Sequence, residues 1–122
     1  MSIQTSVLEL KMLIGGEWRA AKNGDENIVI NPATGEVIAK APRATREETE
    51  EAIAAARAAF ESGVWSGLTT HERAQYLNKI ADKIDERFAE LVELEVMDNG
   101  KLRAEAEFDV ADAATCFRYY AG

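Results

Sequence analysis

Residues 69–97 read TTHERAQYLNKIADKIDERFAELVELEVM, and this stretch decides the fold class. Leu77, Ile80, Ala81, Ile84, Phe88 and Leu91 recur at spacings of three, one, three, four and three. That is one continuous stripe on a helix of 3.6 residues per turn. Thr69 with Glu72 three residues on is a capping box, in which hydroxyl and carboxylate each take one of the amides left free at a helix start. The spacing predicts one helix over 69–97, stopped at Asp98-Asn99-Gly100, where glycine accepts the left-handed turn that ends helices.

Working outward, Thr45 and Glu48 form a second capping box and open a helix over 45–61. Its expected inward face is Ala52, Ile53, Ala56, Ala59 and Phe60. It ends at Ser62-Gly63, and Val64-Trp65 make an apolar corner. On the other side, a helix over 104–120 is expected to turn Phe108, Ala111, Thr115 and Phe117 inward. Before Thr45 the pattern is extended. Met12-Leu13-Ile14, Ile28-Val29-Ile30 and Glu36-Val37-Ile38-Ala39 are short β-prone runs broken by Gly15-Gly16, Asn23-Gly24-Asp25 and Asn31-Pro32-Ala33-Thr34-Gly35. Trp18 reads as a packing anchor. Pro32 and Pro42 argue against a central strand here. Residues 1–11 carry no periodicity and read as a loose lead. The expected class is α+β: a β-hairpin unit over 12–40 followed by three helices. No repeat, low-complexity linker or long heptad pattern interrupts it.

Composition narrows the function classes. The 122 residues suffice for one domain, and the 47% apolar share includes 21 alanines, which favour helix but bury little area. Either the helices pack closely, or the piece completes its core against something else. A net charge of −8 opposes binding to nucleic acid and to anionic membrane surfaces. No apolar run approaches the roughly 20 residues that span a bilayer. Met1–Glu9 lacks the basic and apolar blocks of a secretory signal, and the lone Cys116 suits a reducing compartment. A cytoplasmic location is the expectation.

The sequence offers little catalytic chemistry. Gly15-Gly16 lacks the spacing of a dinucleotide loop and opens no helix. His71 is the only histidine and reads as a solvated residue in the first turn of its helix. Cys116 falls near a helix C-terminus, where the dipole opposes a thiolate, and so reads as structural. The acidic stretches Glu47–Glu51 and Glu90–Glu95 read as solvated helix faces.

Taken in order, several landmarks resemble the aldehyde dehydrogenase superfamily. They are Ile14-Gly15-Gly16-Glu17-Trp18, Asn31-Pro32-Ala33-Thr34-Gly35-Glu36-Val37-Ile38-Ala39, the Ala-rich helix ending in Ala59-Phe60, and Gly63-Val64-Trp65-Ser66. Glu72-Arg73-Ala74, Leu94-Glu95, Asp98-Asn99-Gly100-Lys101 and Arg118-Tyr119-Tyr120-Ala121-Gly122 complete the series. The resemblance covers residues 12–122 and implies an α/β family fold, of which this piece is the amino-terminal part of the cofactor-binding domain. It implies oxidation of an aldehyde to a carboxylic acid with NAD or NADP, through a catalytic cysteine, a glutamate base and an oxyanion-holding asparagine. All three lie beyond the matching segments, so no catalytic or cofactor-binding residue transfers to this chain, and the isolated piece is expected to be inactive. What does transfer is a monovalent-cation site: the carbonyls of Val29 and Ile30, before the Asn-Pro turn, and the carboxylate of Asp98. The competing reading of Asp98 is an Asx turn with Gly100. The expected partner is the remainder of an aldehyde dehydrogenase or a second copy of the piece. The rival to all of this is a separate, non-catalytic helical module that binds a protein partner.

Overall fold

A computed structural model describes residues 6–122. Along the chain run β1 (Leu8–Glu9), β2 (Met12–Ile14), β3 (Glu17–Arg19), β4 (Glu26–Ile30), β5 (Val37–Pro42), α1 (Arg46–Glu61), α2 (Thr70–Glu86), α3 (Phe88–Asn99) and α4 (Arg103–Ala121). The class is α+β. The chain divides into two compact units, Met1–Val64 and Trp65–Gly122.

In the first unit β2 and β3 pair antiparallel with Ile14 opposite Glu17. This leaves Gly15 and Gly16 as a two-residue turn, both at positive φ (61° and 87°). That geometry matches the right-handed twist of the flanking strands, and glycine takes both positions without strain. A separate three-stranded sheet has the order β1-β5-β4. β4 and β5 are antiparallel, joined by the Asn31–Glu36 turn, and Asn31 accepts the Ala33 amide on its side chain (2.9 Å).

Three expectations for this region are corrected. The lead over 1–11 is not wholly loose: Leu8 and Glu9 pair parallel with Ala39 and Lys40, and the Leu10 amide donates to the Lys40 carbonyl (2.9 Å). Residues 1–5 lie outside the described residues. A two-residue strand is too short to show the period-two alternation that marks strands in sequence. β5 is the middle strand despite Pro42, because Pro42 is its last residue, at the end of the ladder opposite Glu26. Trp18 does not anchor the hairpin; it is 66% exposed, and its neighbour Arg19 is the residue tied to α1.

α1 begins at its predicted capping box, with Thr45 accepting from the Glu48 amide and Glu48 accepting from the Thr45 amide. The expected inward face is largely uncovered, with Ile53 65% and Phe60 70% exposed and only Ala52 half-buried. α1 meets β2 instead across an open groove of about 450 Å³ between the Gly15-Gly16 turn and Ala52, Ala55, Ala56 and Ala59.

In the second unit the predicted helix over 69–97 is two helices. Its start is as expected, with Thr69 and Glu72 forming the capping box. The ladder breaks at Arg87, whose ψ of 15° is not helical and whose amide is shared between the Lys83 and Ile84 carbonyls (3.3 and 3.2 Å). A straight rod of that length would run roughly 44 Å at 1.5 Å per residue. α4, at about 28 Å on the same rise, packs against both α2 and α3, and the bend lets both reach it. No proline or glycine marks this break. α3 then ends as predicted, with Gly100 left-handed at φ 75°.

The face that α4 turns inward is also corrected. Ala106 and Ala114 are buried and Val110 and Phe117 half-buried, whereas Phe108, Ala111 and Thr115 are exposed. The core of this unit is Ala81 of α2, Val92 of α3, and Ala106 and Ala114 of α4. Alanine at the seam lets helix backbones approach closely. With alanines on both faces of α4, the large Phe108 drew the sequence expectation to the wrong side.

Candidate functional site

The first unit contains the one buried charged residue among the described residues, Glu48. The capping box brings its carboxylate to the helix start, where Oε2 accepts the Thr45 amide (2.9 Å). Its other oxygen accepts the Lys22 amide (2.9 Å), tying the segment after β3 to α1. The Thr45 amide is the largest influence holding the Glu48 carboxyl below its ordinary range. Desolvation opposes it, while the Lys22 amide, the Thr45 hydroxyl and Arg19 add to it. One turn on, Glu51 takes the Arg19 guanidinium on one oxygen and the Lys22 ammonium (2.5 Å) on the other. These two cations, Lys22 first, depress its carboxyl as well. Glu48 and Glu51 are thus not the solvated face expected of Glu47–Glu51. They form a clasp, and the capping box was the only signal of it in the sequence.

The clasp is structural chemistry, with each of the four carboxylate oxygens held by a donor from within this unit. The other candidates lie apart from it. Cys116 is exposed on α4, its thiol 3.8 Å from the Asp112 carboxylate, an anion rather than the cation or base that activates a thiol. His71 is exposed in the first turn of α2, 2.9 Å from the Gln75 amide. Among the described residues no three His, Cys, Asp or Glu side chains group to hold a metal. Gly15-Gly16 leads into a strand and not into a helix N-terminus, so this turn does not fit a dinucleotide phosphate.

The residues expected to bind a cation lie in different units. Val29 is half-buried in β4 opposite Ala39, and the ladder register shifts between Val29 and Ile30. Asp98 is exposed in the last turn of α3 and makes no ion pair among the described residues. The Asx turn assigned to Asp98 as the alternative belongs to Asn99, whose side-chain oxygen accepts the Lys101 amide (2.8 Å). The Asp98 carboxylate is therefore not consumed by that turn. Lys101 in turn bridges Glu95 (2.6 Å) and Asp109 (2.5 Å). Asp109, then Glu95, raises its ammonium above the ordinary lysine value.

A model of the aldehyde dehydrogenase family matches residues 18–122. The chain belongs to this family. It is 44% identical over 113 residues to the chloroplastic betaine aldehyde dehydrogenase of Atriplex hortensis, covering 90% of this chain and 22% of that protein. It is 40% identical to malonate-semialdehyde dehydrogenase 2 of Geobacillus thermodenitrificans, covering 97% of this chain and 24% of that one. Among solved structures, betaine aldehyde dehydrogenase from Staphylococcus aureus in complex with NAD+ superposes with a TM-score of 0.90 at 42% identity, over 94% of this chain and 23% of the neighbour. This aldehyde dehydrogenase chain thus spans less than a quarter of the length of these relatives.

Proposed function

We propose that the chain is the amino-terminal portion of an NAD(P)-dependent aldehyde dehydrogenase, part of its cofactor-binding domain, and that it is inactive alone. The observation that carries this is uncovered apolar surface in a family member. Trp18, Ile53 and Phe60 in the first unit, and Phe108, Tyr119 and Tyr120 in the second, stand largely in solvent. Large side chains left bare in this number mark surfaces that another part of a protein covers. NAD supplies a hydride acceptor when bound, and the relatives' names point to aldehydes bearing an ammonium or carboxylate group. In this proposal the nucleophile, base and cofactor contacts come from the remainder of the enzyme. The family's monovalent-cation ligands carry over as Val29, Ile30 and Asp98, and the Asp98 carboxylate, which has no ion pair among the described residues, suits a hard cation.

Complementation tests the proposal. The chain is co-expressed with the betaine aldehyde dehydrogenase of Staphylococcus aureus lacking its matching amino-terminal segment. Neither piece alone should form NADH from betaine aldehyde, and the pair should. Two soluble, folded pieces that stay inactive together would count against the assignment. NADH formation by the chain alone, lost in Cys116→Ser, would overturn its inactivity.

A further inference from the structure

Asparagine followed by glycine is the dipeptide most open to spontaneous modification, because a glycine amide without a neighbouring Cβ can reach the asparagine side-chain carbon. The chain has two such pairs, Asn23-Gly24 and Asn99-Gly100, and all four residues are exposed. Exposure does not separate them, but their local structure does. We propose that Asn23 is a deamidation and isoaspartate-forming site and that the end of α3 protects Asn99.

In the reaction the glycine nitrogen gives up its proton and bonds to the side-chain carbonyl carbon. The bond from that carbon to the amide nitrogen breaks, and ammonia leaves. Water then opens the resulting succinimide. Attack at the side-chain carbonyl gives aspartate, and attack at the main-chain carbonyl gives isoaspartate. The net change is amide plus water to acid plus ammonia, with no oxidant or reductant.

At Asn99 every participant is held elsewhere. Its backbone is helical, and the Gly100 amide is turned back onto the Val96 carbonyl (3.0 Å). The side-chain nitrogen donates to Glu95 (2.7 Å) and the oxygen accepts from the Lys101 amide (2.8 Å). The Lys101 ammonium joins Glu95 to Asp109 on α4, so freeing Asn99 means opening a contact between two helices. The charge is also adverse: Asp98, Glu95 and Asp109 outnumber Lys101, and the negative end of the helix dipole resists loss of the Gly100 proton.

At Asn23 the restraints are short-range. The Gly24 amide closes one tight turn to the Ala21 carbonyl (3.0 Å). The side chain bonds to Asp25 alone among the described residues, through its carboxylate (2.9 Å) and its amide (3.0 Å). Both contacts release together when that turn opens, and exposed turns open at low free energy. Isoaspartate here would add a methylene to the main chain immediately after Lys22, whose amide is bound to Glu48, and so slacken the clasp.

The test is incubation of the intact chain at mildly alkaline pH. Peptide mass analysis follows the replacement of amide by acid at each site, and isoaspartyl methyltransferase labels the rearranged product. Asn23 should convert several-fold faster than Asn99, with isoaspartate at position 23. In urea the two rates should converge, and Glu95→Ala should raise conversion at Asn99 in the folded chain. Equal rates in the folded chain, a faster Asn99, or a difference that persists in urea would overturn the proposal.

Discussion

Ala114→Leu and Ala111→Leu make the same chemical change three residues apart on α4, on opposite sides of the question of which face is buried. Ala114 is 1% exposed at the seam, whereas Ala111 is exposed. Leucine at 114 must place three additional carbon atoms where the helices already touch. Forcing methylenes into a packed core costs about 1–3 kcal/mol. In domains of roughly 60 residues each kcal/mol moves Tm by about 4–8 °C, so a midpoint cost of about 2 kcal/mol lowers the second unit's Tm by about 8–16 °C. Leucine at 111 meets solvent, and its helix propensity is within a few tenths of a kcal/mol of alanine's, so its melt should nearly overlie the parent's. Far-ultraviolet circular dichroism on heating reads both variants. If Ala111→Leu falls as far as Ala114→Leu, or if Ala114→Leu leaves Tm unmoved, the buried face is misassigned.

Further outcomes follow from other contacts. Thr45→Ala removes one half of the α1 capping box and should cost about 1 kcal/mol, seen as faster hydrogen exchange at the Glu48 amide. Gly100→Ala forces a Cβ into the left-handed region and should cost about 1–2 kcal/mol in a urea titration. Glu48 and Glu51 have carboxyls depressed below the ordinary glutamate value of 4.5, so their contribution to stability is complete above that value. It is lost as pH falls through the lower folded-state values. The first unit should therefore loosen on the acid side, and Glu48→Gln should flatten that dependence; an unchanged acid limb would refute the clasp. If Asp98 serves a cation, Asp98→Asn should abolish any rise in Tm that K⁺ or Na⁺ gives and a bulky organic cation does not.

What the sequence made legible were features encoded by neighbours along the chain. Both capping boxes, the Gly15-Gly16 turn and the Gly100 stop depend on residues within four positions of each other, and all stand where expected. The errors came where distant partners decide. Arg87 carries no breaker residue, and the bend answers to α4. Phe108 is large and apolar, yet exposed, because in an alanine-rich helix the close-packed seam selects small residues. Arg19 and Lys22 meet Glu51 across about thirty positions, a separation that no local pattern reports. Of the candidate site, the Asx turn falls on Asn99, one residue after Asp98, since both are equally suited by chemistry and only the helix end tells them apart.

The parallel pairing of β1 with β5 has a consequence for the order of events at synthesis. Leu8 leaves the ribosome first, and its partner Ala39 follows thirty-one positions later. At translation rates of about 5–20 residues per second, β1 waits roughly 2–6 s before its neighbour exists. The Gly15-Gly16 hairpin, by contrast, closes within about 1–10 μs of its own emergence. β1 must therefore stay without its β5 partner through the whole interval in which the hairpin between them can form. Slowing elongation over codons 10–38 lengthens that interval without altering a single residue of the product.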